Sequence, residues 1–240
     1  MIKINCYLDI ESIPCQRPGF ADELLAELRA SADERKAEVR APSNYKDEAK
    51  IAEFIASARQ KIDDEIEAEA EKQYRATALD GTFGEVFCVA WAIEDEPVQV
   101  GDLPRALTAL SAAWDPRDAP CIIGHNVMFD IRFIWQQAIL KELPVPRWWP
   151  VKAKPWEDAI YDTMTQWAGV GNRIKLDKLC RAFGIEGKGD IDGSKVYDYW
   201  LDGKHDEIHA YCMADVERVR QLHRRMTAIP SRAMMTKAAA

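Results

Sequence analysis

No run of apolar residues in this 240-residue chain approaches the roughly 18 that a membrane-spanning helix needs. The first residues, Met1-Ile2-Lys3-Ile4-Asn5-Cys6-Tyr7-Leu8-Asp9, lack the charged start, apolar stretch and small-residue cleavage site of a secretory leader. The cysteines (6, 15, 88, 121, 180 and 212) stand singly, without the CxxC or CxxxC spacing of a zinc site or redox dithiol. Reduced, mostly buried thiols in a soluble, cytoplasmic protein are expected, with no membrane partner. Internal repeats are also absent. At 48% hydrophobic, the chain has enough apolar content for one sizeable α/β domain, residues 1–240, and no room for a second catalytic body the size of a polymerase, so a stand-alone protein is expected.

A basic excess is missing too. The formal charge is −8, which on its face argues against a nucleic-acid partner. Its distribution weakens the objection. Residues 17–80 hold 16 acidic against 11 basic side chains, net −5, and the remainder holds 24 against 21, net −3. If four of those remaining acids are metal ligands, the rest of the body is close to neutral, and bound cations can offset a phosphodiester's charge.

What is present starts with alternation. Ile2, Ile4, Cys6, Leu8 and Ile10 alternate with Lys3, Asn5, Tyr7, Asp9 and Glu11, a period of two that predicts a strand with one strongly apolar face and both acids on the other. From Phe20 to about Thr77 the spacing turns helical and is broken at Ala41-Pro42-Ser43-Asn44, which predicts a helical hairpin inserted after the first strand. Glu85–Ile93 and Val98–Val100 predict a β-hairpin, Leu103–Trp114 a helix, and Pro120–Gly124 a short buried strand running into a helix from about Met128 to Leu140. The second half reads as mainly helical, over Tyr161–Ala168, Leu176–Phe183, Val196–Leu201 and Asp206 to about Met226, with a flexible tail over 230–240.

Phosphodiester hydrolysis by two-metal catalysis needs carboxylates converging from different elements onto hard divalent cations. Asp9-x-Glu11 places two on one face of a strand end. Alone, an acid pair in an acid-rich protein says little. Asn126-Val127-Met128-Phe129-Asp130 adds an acid in the first turn of a helix that a buried strand feeds, and Tyr211-x-x-x-Asp215 stacks a phenol and a carboxylate on one helical face. The ordered conjunction is what is specific.

With those three motifs in that order, the sequence resembles the DEDD exonucleases of the ribonuclease H-like superfamily, in their tyrosine subgroup. It looks closest to stand-alone exonucleases similar to the proofreading domain of family B DNA polymerases. Tyr161-Asp162-Thr163, the stretch from Lys175 to Ile185, and Gly187-Lys188-Gly189 with Ile191-Asp192-Gly193 extend the likeness to nearly all of the chain outside 17–80. The resemblance implies an α/β, ribonuclease H-like fold, a mixed β-sheet antiparallel in its first three strands and flanked by helices. It implies two Mg²⁺ or Mn²⁺ ions held by Asp9, Glu11, Asp130 and Asp215. Tyr211 would orient the attacking water, since a phenol with an ordinary pKa near about 10 is a poor base at neutral pH. The histidine subgroup carries a His where this chain has Ala210, and His209 lies about 100° round the helix from that direction. The implied reaction is 3'-5' release of nucleoside 5'-monophosphates, with Ser12, Ile13, Asn126 and Phe129 at the strand's 3' end.

Single-stranded DNA is the favoured substrate. A ribonuclease D-like RNA-trimming enzyme is the first alternative, because discrimination at the 2'-OH is not written in these motifs. The second is a catalytically silent nucleic-acid scaffold. Arg173, Lys175, Lys178, Arg181, Lys188 and Lys195 form a basic run that either tracks a phosphate backbone or is a solvated face. Trp148, Trp149 and Trp156 read first as packing. The 17–80 insertion reads as a solvated helical pair, with a lid or a protein-binding arm as the functional options.

Overall fold

The structure is a computed structural model, which describes residues 3–114, 119–187 and 193–228. Lys188, Gly189, Ile191, Asp192 and the expected 230–240 tail lie outside the described residues. The chain divides into two compact units, one of residues 1–12 with 86–240 and one of residues 13–85.

The first unit is built on a five-stranded mixed sheet in the order β3-β2-β1-β4-β5. Its strands are β1 (Lys3–Ile13), β2 (Glu85–Ile93), β3 (Gln99–Gly101), β4 (Ala119–Gly124) and β5 (Ile160–Asp162). β1, β4 and β5 run parallel. Glu94, just past β2, donates its backbone N–H to the carbonyl of Asn5 near the start of β1 (2.9 Å), so β2 runs antiparallel to β1, and β3 folds back antiparallel on β2. The α/β class and the antiparallel first three strands are as the sequence predicts.

Both faces of the sheet are covered. Cys6, Leu8 and Ile10 of β1 pack with Trp91 and Ile122 against α3 (Leu103–Ala112) and α4 (Val127–Leu140). On the opposite face, Tyr7, Cys88, Ala90, Cys121 and Ile123 pack against α6 (Leu176–Ala182) and α8 (His205–Thr227). The face of β1 that carries Asp9 and Glu11 is therefore apolar at Tyr7, 2% exposed, and turns acidic only at its end. All six cysteines are free and buried; burial beside Cys121 pushes the Cys6 thiol up to about 12.

Two expectations need correction. Tyr161–Ala168 is not one helix: Ile160–Asp162 is an edge strand paired with Ile122–Gly124, and α5 (Thr163–Ala168) begins only after it. Three residues are too few to show a period, and Asp162 caps the helix that follows, so strand and helix signals overlap there. The helix predicted to reach Trp114 ends at Ala112, and Trp114 instead packs edge-on against Trp148.

The second unit is a helical pair, α1 (Phe20–Glu38) and α2 (Glu48–Ala76). Asp47 caps α2 by accepting from the N–H groups of Ala49 and Lys50. The strand-end segment is tied to the helical pair by the Cys15 N–H donating to Thr77 Oγ1 (3.0 Å) and the Tyr74 hydroxyl donating to the Cys15 carbonyl (2.9 Å).

Candidate active site

The site forms where β1 outruns its neighbour. β4 ends at Gly124 while β1 continues to Ile13, so Asp9 and Glu11 project beyond the end of β4, where the chain turns into α4. Gly124 is needed at that turn, because a Cβ there would lie 2.6 Å from Val127 Cγ2 and 3.1 Å from the Leu8 carbonyl. α4 then brings Asp130 back to β1, where its carboxyl accepts from the Ile10 backbone N–H and faces Asp9. Asp130 is 5% exposed. Burial, and after it the nearby charges of Asp9 and Asp162, hold its carboxyl well above the usual carboxylate range.

α8 closes the other side. Its residues pack against the odd-numbered positions of β1, which is the face Asp9 and Glu11 share. Cys212 Sγ lies 3.6 Å from both the carbonyl and Oδ2 of Asp9. Asp9, Glu11 and Cys212 each offer an atom within 4.8 Å of the others. Burial, the Cys88 thiol and the Asp9 charge push the Cys212 thiol well up, which keeps it neutral beside the acids. Tyr211 and Asp215 are also on α8 and are 8% and 3% exposed. Asp215 is oriented by Arg218, whose Nη1 donates to Oδ1 (2.8 Å) while Nε and Nη2 donate to the carbonyls of Glu186 and Gly187. Asp130 and Asp215 lie outside the 4.8 Å grouping that Cys212 joins.

A third support comes from β5. Asp162, 4% exposed, accepts from the backbone N–H of Asn126 and of Met164 through Oδ1 (2.9 Å each), and from the Thr165 hydroxyl through Oδ2 (3.2 Å). It thereby fixes Asn126 in the left-handed conformation, φ 63°, which Asn tolerates better than most residues. His125 is clamped between Thr163 Oγ1 (2.9 Å) and the Ile174 carbonyl (2.8 Å).

Cys212, Arg218 and Asp162 in this positioning role are not picked out by motif reading. Arg218, three residues past Asp215 on α8, carried a sequence signal of the kind used for helical ion pairs. Of the expected strand-binding residues, Asn126 is exposed, Ser12 and Phe129 are half-buried, and Ile13 is 4% exposed. The Phe129 ring packs against Phe133 at 5.5 Å. His209 stacks on Phe87 at 5.3 Å, a packing contact. Trp149 is core, its indole N–H donating to the Ile131 carbonyl, whereas Trp156 is 72% exposed. The basic run separates: Arg181 is paired with Asp177 (2.8 Å), while Arg173 lines a hollow that Asn126 and Asp162 also line.

Residues 110–235 match the sequence model of a family described as a predicted 3'-5' exonuclease related to the exonuclease domain of PolB, just over half of the chain. The chain belongs to this family. The match contains Asp130, Tyr211 and Asp215, while Asp9 and Glu11 lie on β1 outside it. The membership puts the sheet in the ribonuclease H-like superfamily. The solved structure of the family B DNA polymerase from the hyperthermophilic archaeon Pyrobaculum calidifontis aligns with 21% identity and a TM-score of 0.48, over 62% of this chain and 22% of that one. The chain thus spans about a fifth of that polymerase's length. No curated protein matches it. Among the described residues, no helix of this exonuclease-family chain is long and apolar enough to cross a membrane.

Membership in the family implies a divalent cation, and the donor set fits one. Carboxylate oxygens suit hard cations. Two acids that raise each other's cost of ionisation, as Asp9 does to Asp130, are relieved by a cation between them.

Proposed function

We propose that this chain is a divalent-cation-dependent 3'-5' exonuclease acting on single-stranded DNA and releasing nucleoside 5'-monophosphates. The observation that carries the reading is the meeting of Asp130, delivered by α4, with Asp9 of β1, at the same strand end where α8 presses Cys212 onto Asp9. Acids withdrawn from water at a shared point serve no evident packing purpose.

Asp9, Glu11, Asp130 and Asp215 would hold two Mg²⁺ or Mn²⁺ ions, which supply an activated water and stabilisation of the leaving oxygen. Tyr211 orients that water through its hydroxyl. Arg218 sets the direction of Asp215, and Asp162 sets the turn from which Asn126 and Phe129 meet the terminal nucleotide beside the Ser12 and Ile13 backbone. The water oxygen bonds to phosphorus as the bond to the penultimate nucleotide's 3'-oxygen breaks. That oxygen leaves as a 3'-hydroxyl after taking a proton.

The reading is tested with 3'- and 5'-labelled single-stranded DNA, and RNA of the same sequence, incubated with Mn²⁺ or Mg²⁺. Early release of a labelled mononucleotide from the 3' label and a descending ladder from the 5' label are expected on DNA. Shortening from the 5' end, or activity indifferent to chelation, would overturn the reading. Faster RNA than DNA shortening would move the substrate to RNA.

A further inference from the structure

Beside the acids, the α/β body has a hollow of about 350 Å³, lined in part by Asn126, Arg132, Asp162, Thr165 and Arg173. Arg132 and Arg173 are exposed, and among the described residues neither has an ion pair or hydrogen bond. Arg181, Arg218 and Arg220 of this unit are held by Asp177, Asp215 and Glu217; Arg105 and Arg147 are exposed and, among the described residues, unpaired like Arg132 and Arg173, but they do not line this hollow. Two unpaired guanidinium groups at one concavity repel each other, and folding alone gives no reason to place them there.

The other polar groups point the same way. Asp162 is the acid of the hollow, and its carboxylate is consumed by Asn126, Met164 and Thr165, so the accessible charge is positive. Asn126 occupies the cap position of α4 and makes no capping bond with its side chain, although capping is what an Asn there usually does. Met128, Met164 and Val170 supply apolar wall. The hollow adjoins the acids, since Asp162 lines it and also acts on the Asp130 carboxyl.

We infer that this hollow holds one nucleotide of the substrate strand upstream of the scissile bond, with its phosphodiester gripped by Arg132 and Arg173, and with Asn126 at the edge of the hollow toward the terminal nucleotide. Guanidinium forks match phosphate oxygens in pairs. Each such grip also releases counterions, which lets a chain of net charge −8 bind DNA through a local basic patch. The inference rests on the nuclease reading, because the nucleotide is part of the strand being shortened.

The test measures binding of 5'-fluorescein-labelled oligo(dT) by anisotropy in EDTA, between about 50 and 200 mM salt, for wild type, Arg132→Gln, Arg173→Gln and the double variant. The double variant should bind about tenfold more weakly or worse. Its slope of log affinity against log salt should shrink by about 0.7 for each phosphate that is no longer neutralised. Hydrolysis of thymidine 5'-(p-nitrophenyl phosphate) with Mn²⁺, a diester too short to reach the hollow, should keep its wild-type rate. Unchanged affinity and slope overturn the inference, as does parallel loss of the small-ester activity, which would make the arginines structural. Displacement of the oligonucleotide by micromolar thymidine 5'-monophosphate also overturns it, assigning the hollow to released product. A wild type that cleaves DNA with indifferent arginines sinks the inference alone. One that binds through both arginines without cleaving sinks the nuclease reading and keeps only the phosphate grip of the hollow.

Discussion

The helical pair of residues 13–85 and the α/β body are both rich in acids and use them in opposite ways. On α1 and α2 the carboxylates lie in water and pair with neighbours, along one helix as Asp33 with Lys36, Glu69 with Lys72 and Glu71 with Arg75, or between the two as Asp63 with Lys36. Each of these helices buries a single alanine, Ala32 or Ala70. In the body, Glu11, Asp130, Asp162 and Asp215 are 3–9% exposed. Exposed pairs of the first kind contribute little to stability. Buried acids of the second kind carry a desolvation cost that hydrogen bonds or a cation must offset. Charge counted along the chain therefore misleads, and charge sorted by burial locates the site.

The largest expected effect is at Asp130. Asp130→Asn should lower DNA hydrolysis by about a thousandfold or more, on the scale of losing a transition-state electrostatic group, and yet stabilise the metal-free protein at neutral pH. The sign follows from the raised carboxyl: a group whose folded pKa lies above its unfolded value contributes stability at low pH and loses it as pH rises through the folded value. Thermal melts in EDTA from pH 4 to 8 should show the variant gaining on wild type as pH rises, by a few degrees for each ~1 kcal/mol relieved. A variant that melts lower at neutral pH would mean that Asp130 is a structural acid.

Tyr211→Phe should slow cleavage by about a hundredfold, in the range of a positioned proton-handling group, with Mn²⁺ affinity by calorimetry nearly intact. Equal loss of both would make the phenol a packing residue. Asp162→Ala removes a helix cap and strands the Asn126 N–H. A loss of about 2–4 kcal/mol in urea unfolding is expected, and a change under about 0.5 kcal/mol, the size of an ordinary surface substitution, would remove Asp162 from the account. The smallest effect belongs to the helical pair: Asp47→Ala should cost about 1 kcal/mol as a lost cap and leave hydrolysis untouched.

The strands and helices that carry motifs were legible because they are periodic. β1, β2, α4 and α8 alternate at two or repeat near 3.6 residues, so Asp9, Glu11, Asp130, Tyr211 and Asp215 fell on the expected elements. β5 was not legible, since three residues have no period and Asp162 doubles as a helix cap. Cys212 was hidden for another reason: between Tyr211 and Asp215 it is an ordinary small apolar residue until α8 docks on the odd-numbered face of β1. The unpaired state of Arg132 and Arg173 is likewise a property of the folded surface, because sequence gives the charges and not their partners.

Mn²⁺-dependent shortening of 5'-labelled single-stranded DNA by wild type, Asp9→Ala and Glu67→Gln tests the contrast between the two kinds of acid most directly. Glu67 is an exposed acid of α2 facing Arg29 at 3.8 Å. Full activity in Glu67→Gln with none in Asp9→Ala is the predicted result. Undiminished shortening by Asp9→Ala would contradict the account.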